Sequence, residues 1–596
     1  MKRLMNLSSI SLVLLSVSTQ AQVVQPKPNV IFILTDDQGY GDLACHGNPW
    51  IKTPNLDKLH SESVRFTNFH SGTTCAPTRS GIMTGKYCNK VGVWHTVNGR
   101  EILSSEETTL PQTLQKAGYR TALFGKWHLG DNFPFRPQDR GFDEVLMHFG
   151  GGVGQQPDYW NNDYFDDTYF RNGKPEKFTG YCTDVWFSEA AKFIEANRNR
   201  PFFCYVSVNA PHSPFNVEEK YSNMYKNNPS ITNPNFYGMI SNIDENVGKL
   251  RQMLKKLAID ENTILVFMTD NGTSSGVKFG KDDEIISGYN AGMRGIKGSP
   301  YDGGHRVPFF IHWPKGEIVK GKDISTITSY IDVMPTLLDL CKVKPLSKAS
   351  IDGISLTPLI YGQSEKWSDR ILFTDTQREE HLVKWKQFAA MTDRWRLVGK
   401  DELYDITIDP GQKNNVAAQH SEMVEKLSSA YQKWWSDVSQ NADKYQYIKV
   451  GTPNDKIVRL NCHDLHMEKG MPAWAQTDVR SGKIDDGFWA IEVVEPGEYE
   501  IELCRWPKES KLLLTDTAPQ GELVPGGKPY PVGIALKITK AKIKIGDMEL
   551  TQQIKPGAKT IKFIQKLNPG KTFLQTWLTD DKNGERSAYY VYVKKR

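Results

Sequence analysis

The run NVIFILT, residues 29–35, is continuously apolar, rich in β-branched side chains, and stops at Asp36-Asp37. A short run without polar alternation predicts a strand buried on both faces of a parallel sheet, delivering carboxylates at its carboxyl end. The arrangement recurs three times. Residues 121–124 lead into Gly125-Lys126-Trp127-His128, residues 202–208 into Ala210-Pro211-His212, and residues 263–269 into Asp270-Asn271-Gly272. Helix-period stretches over 55–63, 111–117, 184–196 and 242–257 lie between these runs, so strand and helix alternate and the fold class is α/β. Ligands of such sheets bind beyond the carboxyl ends of the strands, which is where all four polar clusters fall.

From about Thr326 the texture changes. Residues 331–338 read as a helix start, and 371–376, 387–392, 395–398 and 403–404 as short strands, closed by a helical stretch over 421–438. These predict a small antiparallel α+β unit. From about Tyr447 the alternation is clean: Trp489, Ile491 and Val493; then Tyr499, Ile501 and Leu503 opposite Glu498, Glu500 and Glu502; then Ile543 and Ile545 opposite Lys542 and Lys544. Turn signals at Pro496-Gly497, Gly526-Gly527 and Asn583-Gly584 divide the strands, the pattern of a β-sandwich. The expected division is a leader at 1–21, a catalytic α/β domain at 22–340, an α+β subdomain at 341–445 and a sandwich-like domain at 446–596.

The leader reading rests on Lys2 and Arg3, a short apolar run through Leu12 to Val17, and small residues at Thr19-Gln20-Ala21. It implies export to a periplasm, cell surface or medium, with no transmembrane anchor. Losing Lys2 and Arg3 lowers the formal charge from +5 to about +3, too little on 596 residues to argue for nucleic acid. Eight cysteines, at 45, 75, 88, 182, 204, 341, 462 and 504, are sparse for a disulfide scaffold and match no zinc spacing. Nothing in the chain specifies an oligomeric state.

The most constrained stretch is Cys75-Ala76-Pro77-Thr78-Arg79, continued by Ser80-Gly81-Ile82-Met83-Thr84-Gly85-Lys86. Pro77 suits a first helical turn, so Cys75 falls at or beside the N-cap, at the positive end of the helix dipole, with Arg79 one turn in. Asp36, Asp37, Asp270 and Asn271 offer hard oxygen ligands, which suit calcium or magnesium rather than zinc.

The pattern CxPxRxxxMTGK resembles the activation motif of the formylglycine-dependent sulfatases, in the alkaline phosphatase superfamily. Residues 118–128, Ala210-Pro211-His212-Ser213-Pro214-Phe215, Arg294-Gly295-Ile296-Lys297-Gly298-Ser299 and Asp302-Gly303-Gly304-His305-Arg306-Val307-Pro308 resemble further motifs of that family. Asp302 stands where the family often has glutamate. The resemblance spans roughly residues 28–440 and implies an alkaline-phosphatase-like fold. It implies that Cys75 is converted by a formylglycine-generating maturation enzyme to 3-oxoalanine, and that Asp36, Asp37, Asp270, Asn271 and the modified Cys75 hold a calcium ion, magnesium being the lesser expectation. By the same match Arg79 favours the deprotonated aldehyde hydrate that attacks sulfur, Lys126 and Lys297 bind sulfate, and His212 protonates the departing alcohol. His128 takes the proton that lets the sulfo-enzyme intermediate collapse.

Substrate recognition is less constrained. Residues 150–167 gather glycines, rings, amides and carboxylates, the groups that stack on and bond to sugars, so Asp158, Trp160 and Asp163 are candidates, with His305 beside the lysine motif. A loop packed by its own aromatics is the alternative. Trp474, Trp489, Trp506 and Trp577 invite a carbohydrate reading, with Trp489 and Trp506 better suited to a core. The expected activity is hydrolysis of sulfate esters of a sulfated saccharide. Two rivals remain: a phosphoester or phosphonate hydrolase on the same scaffold, and a glycan-binding protein whose catalysis has lapsed.

Overall fold

The computed structural model describes residues 27–281, 283–347 and 350–596, and the expected leader at 1–21 lies outside them. Five parallel strands form the middle of a ten-stranded sheet, in the order Thr263–Thr269, Asn29–Thr35, Phe202–Ser207, Arg120–Lys126 and Glu144–His148. Antiparallel neighbours flank them, Phe309–His312 on one side and Thr168–Arg171 on the other. Every residue of the first strand is buried. Val30, Phe32 and Leu34 enter one apolar layer, whereas Ile31 and Ile33 enter the opposite one, which is why the strand shows no polar alternation.

Helices cover both faces. Cys75–Thr84, Leu110–Lys116 and Val333–Leu340 supply Ile82, Leu114 and Leu337 to the first layer. Pro54–Ser61, Cys182–Asn197 and Pro234–Lys256 supply Leu56, Trp186 and Ile243 to the second. The last of these starts eight residues before the expected 242, because Asn233 caps it by accepting from the amides of Asn235 and Phe236 at 3.1 and 3.2 Å, with Pro234 at the first position. All eight cysteines are free thiols. Among the described residues no helix is long and apolar enough to cross a membrane.

Two further bodies follow in the chain. Leu372–Asp375, Phe388–Met391, Trp395–Val398 and Glu402–Asp405 form an antiparallel sheet, onto which Ser421–Val438 packs Leu427, Tyr431 and Trp434. Beyond it, a six-stranded and a four-stranded sheet share one core, to which Ile491 and Leu574 contribute from the first and Ile501 and Val593 from the second. The architecture is therefore α/β, a large mixed, mainly parallel sheet flanked by helices, with antiparallel sheets toward the C-terminus.

A buried ion pair ties the first antiparallel sheet to the short helix Asp302–His305, which leads into the large-sheet strand Phe309–His312: Arg396 Nε donates to Asp302 Oδ1 at 2.8 Å, with both side chains essentially inaccessible. Burial opposes ionisation of Asp302, but the Arg396 guanidinium outweighs it and holds the carboxyl below the usual range. A depressed folded-state value means that the pair stabilises above the unfolded pKa and that the contribution is lost only as pH falls through the folded value. Removing one partner strands a buried charge. Arg396→Met is expected to lower the unfolding free energy by about 3–5 kcal/mol in denaturant melts, and Arg396→Met with Asp302→Leu to recover most of it. A loss below about 1 kcal/mol in the single variant would show that the pair is not a tie between the sheets.

Candidate active site

The sheet register brings the polar clusters level. Leu34 pairs with Ser207, Thr35 with Thr269, and Gly125 with Ser207, so four adjacent strands end on one line. Asp36-Asp37, Asp270-Asn271, Lys126 and the turn carrying His212 therefore leave the sheet side by side. Backbone bonds hold the turns: Asp36 N donates to Ala210 O and Asp270 N to Thr35 O, each at 3.1 Å. Asp37 takes a left-handed backbone, φ 68°, which places its amide 3.1 Å from Asp270 Oδ1. A non-glycine residue there costs on the order of 1–3 kcal/mol, met by the surrounding structure.

Three buried carboxylates meet three cations. Lys126 Nζ lies 2.6 Å from Asp36 Oδ2, Arg79 Nη2 lies 2.8 Å from Asp270 Oδ2, and Lys297 Nζ lies 2.5 Å from Asp37 Oδ1. Asn271 Nδ2 adds a bond to Asp37 Oδ1 at 2.9 Å. Burial, above all, pushes Asp36 and Asp270 up to about 6. Asp37 is also buried, but Lys297 outweighs this and holds it below the usual carboxylate range. Asp36 Oδ1 and Asn271 Oδ1 are buried oxygens with no hydrogen-bond partner, and ligand atoms of Asp36, Asp270 and Cys75 lie within 4.8 Å of one another. Hard oxygens left unpaired in a dry, acidic cluster fit a divalent cation, which would relieve the penalty that raises Asp36 and Asp270.

Cys75 opens the helix Cys75–Thr84, with Thr74 as N-cap and every residue of the helix buried. Burial raises a thiol, yet Lys126 and Lys297 together bring Cys75 below its ordinary value. Arg79 points back from the same helix. It grips Asp270 through Nε at 3.2 Å as well as Nη2, and its Nη1 donates to Ser207 Oγ at 2.5 Å.

Two histidines bracket the cluster, and their hydrogen bonds assign the tautomers. His128 Nε2 lies 2.9 Å from Thr96 O, so a neutral ring carries its proton there and leaves a lone pair on Nδ1, which is buried and unpartnered. His212 Nδ1 lies 2.7 Å from Ser213 O, which turns Nε2 toward Asp37 Oδ2 at 3.7 Å. Burial lowers both pKa values, helped for His128 by Lys126 and opposed for His212 by Asp37. Gly151 packs against the His128 ring, where an added Cβ would lie 2.4 Å from Cε1.

Cys75, Arg79, Lys126, His128, His212, Lys297, Asp36, Asp37, Asp270 and Asn271 thus converge, whereas the saccharide candidates need correction. Asp158 is fully buried and accepts from Gly154 N at 3.0 Å and Asn162 Nδ2 at 3.1 Å, stapling its own loop. Trp160 packs edge-on against Trp506 at 5.4 Å beneath the Arg480 guanidinium, so this ring faces the C-terminal unit. His305 is fully buried, with Nδ1 2.9 Å from His70 Nδ1 and Nε2 3.1 Å from Pro300 O. Asp163 accepts from Phe165 N at 3.2 Å and stays half-buried, lining a cavity of about 580 Å³ between residues 159–168 and 519–525. Sequence reasoning missed Ser207, the Thr96 and Ser213 carbonyls and Gly151. Ser207 carried a signal as the last residue of a strand that feeds the site, and Gly151 as part of the glycine run that opens residues 150–167.

The Sulfatase family model matches residues 28–343, and that for N-sulphoglucosamine sulphohydrolase, C-terminal, matches 297–436. The N-acetylgalactosamine-6-sulfatase of Homo sapiens is 31% identical over 428 residues, covering 66% of this chain and 77% of that protein. The N-acetylgalactosamine-6-O-sulfatase of Bacteroides thetaiotaomicron is 28% identical over 493 residues, covering 67% and 92%. The crystal structure of Ps i-CgsB superposes with a TM-score of 0.62 at 28% identity, covering 70% of this chain and 95% of that one.

Gly151→Ala forces either the His128 ring or the 150–152 turn to move. A crystal structure of the variant is expected to show the Thr96 bond broken, with turnover about 10²-fold lower, the scale of a displacement near 1 Å at a reacting group. An unmoved ring would show that something other than this turn positions His128.

Proposed function

The chain belongs to the sulfatase family and is a sulfuric ester hydrolase, and from that premise we propose that it removes sulfate from a sulfated saccharide. In the same reading Cys75 works as formylglycine, the bound ion is calcium, and the protein acts after export. The observation that carries this is the placement of Cys75. Its sulfur stands at a helix N-terminus, with Asp36 and Asp270 ligand atoms within 4.8 Å and the charges of Lys126 and Lys297 acting on it.

Asp36, Asp37, Asp270 and Asn271 would hold the calcium ion, which supplies a fixed positive charge for sulfate oxygens. The aldehyde hydrate expected from Cys75 supplies a nucleophile with two hydroxyls on one carbon. Lys126 and Lys297 hold the sulfuryl oxygens as charge shifts, in a site dry enough for each contact to count. Arg79 holds the Asp270 carboxylate in place. His212 presents Nε2 to the departing alcohol; burial keeps the ring neutral, and Asp37 supplies the negative charge that favours its protonated form as the proton donor. His128 presents an unpartnered Nδ1 lone pair and accepts a proton. A lapsed, binding-only protein would have no need to keep all of these groups converged.

The saccharide rests on the relatives named above. Export rests on residues 1–21, and the proposed division at 22–340, 341–445 and 446–596 is supported by the separate sheets in each part. Cys75 is buried in a helix that is buried throughout. A formylglycine-generating enzyme would therefore have to reach it before the fold closes.

Mass analysis of the peptide containing Cys75 is expected to show the aldehyde in active protein, and an unmodified thiol in fully active protein would refute the nucleophile. Cys75→Ala should cost at least about 10⁴-fold in turnover, in line with loss of a nucleophile. Stripping the ion with a chelator should abolish activity, and calcium should restore it better than magnesium. A screen of defined sulfated sugars, read by which position loses sulfate, with phosphate monoesters alongside, tests the substrate; faster turnover of phosphate would overturn it.

A further inference from the structure

Neither family model extends past residue 436, yet the C-terminal sheets reach the catalytic centre. Residues 473–476, which lead into the helix Gln476–Ser481, run antiparallel to 154–156, with Ala475 bridged to Gln155. Gln156 N donates to Trp474 O at 3.0 Å, and Gln476 N donates to Gly154 O at 3.2 Å. The Gln156 side chain is held wholly by the C-terminal unit: its Nε2 donates to Tyr589 O at 2.7 Å, and its Oε1 accepts from Cys462 N at 2.8 Å. His463 Nε2, 2.8 Å from Trp474 O, closes the other side.

This seam belongs to the turn that packs on the catalytic histidines. Gly151 N donates to Gln155 Oε1 at 2.9 Å, Gly151 abuts His128, and a Cβ on Gly152 would lie 3.5 Å from His212 Nδ1. At the end of the seam the Trp474 ring stands half-buried, its centroid 6.1 Å from that of His212 and tilted by 43°. The backbone of Trp474 is fixed at both polar groups, since its amide also donates to Asp478 Oδ2 at 2.7 Å. The indole thus projects from a fixed backbone as an apolar plane beside the group placed at the departing alcohol.

We propose that Trp474, carried by the C-terminal β unit, is the platform on which the ring of the departing sugar lies while His212 faces its ester oxygen. The inference rests on the saccharide reading above. Sulfate itself is gripped by Lys126 and Lys297 and gains nothing from an indole, so the ring acts on the sugar alone. A pyranose face offers C–H groups to such a plane, and its hydroxyls turn outward to water. Stacking of this kind is made equally by the bound substrate and the transition state, away from the reacting bonds, so it sets KM and leaves kcat unchanged.

The test compares the full-length protein with Trp474→Ala and Trp474→Phe, measuring kcat and KM on whichever sulfated disaccharide the parent cleaves, and the inhibition constant of inorganic sulfate. In Trp474→Ala the KM is expected to rise about tenfold or more, with kcat and the sulfate constant within about threefold, and Trp474→Phe to recover most of the loss. An unchanged KM in a folded Trp474→Ala protein overturns the proposal. So does a rise in KM matched by the sulfate constant, or a loss confined to kcat, since either marks a wall that only supports the pocket. Failure of the parent itself to cleave any sulfated saccharide overturns the saccharide reading, and this proposal with it, and is told apart by lying in the parent and not in the variant.

Discussion

Three buried carboxylates within one hydrogen-bonded cluster are the constraint on which the rest depends. Asp36, Asp37 and Asp270 cannot all stay ionised in a dry pocket unless positive charge meets them at short range. Lys126, Arg79 and Lys297 each answer one carboxylate, and each arrives from a different element: a strand end, a helix and a long loop. Two of these cations, Lys126 and Lys297, also lower the Cys75 thiol, so part of the charge balance that lets the carboxylates be buried acts at the helix N-terminus as well. Two buried oxygens, on Asp36 and Asn271, have no hydrogen-bond partner, which is what fits the cluster to the proposed dication.

The histidines obey a second, geometric constraint. Each spends one ring nitrogen on a backbone carbonyl, Thr96 for His128 and Ser213 for His212, and thereby commits the other nitrogen to the pocket. Gly151 lets the loop approach His128 more closely than any side chain would allow. That loop is in turn held by Gln156, every bond of whose side chain runs to the C-terminal sheets. The sandwich-like unit therefore supports the turn that packs on His128, even though it stands far along the chain and outside the family models.

Much of this was legible in the residues. Unbroken apolar runs ending in Asp36, Lys126 and Asp270 identify buried parallel strands, because only a strand covered on both faces dispenses with alternation. The motifs around Cys75, Lys126, His212 and Lys297 resemble those of the sulfatases, and it is through that resemblance that they point to the chemistry. Asp158 and Trp160 were misleading for a physical reason. Rings, amides and carboxylates that bind sugars are also the groups that bond a loop to a neighbouring domain, and composition does not distinguish the two partners.

What the sequence determined by itself was local: which strands are buried, where a helix begins beneath a cysteine, and which residues can hold a hard cation or grip an anion. These follow from short-range periodicity and from side-chain chemistry, which every residue carries wherever it lies. The tertiary structure alone decided which carboxylate meets which cation, which ring nitrogen of each histidine is free, and which of the four C-terminal tryptophans stands beside His212. Those are relations between residues up to several hundred positions apart, set by strand register and by the seam between 154–156 and 473–476, and no local pattern encodes them.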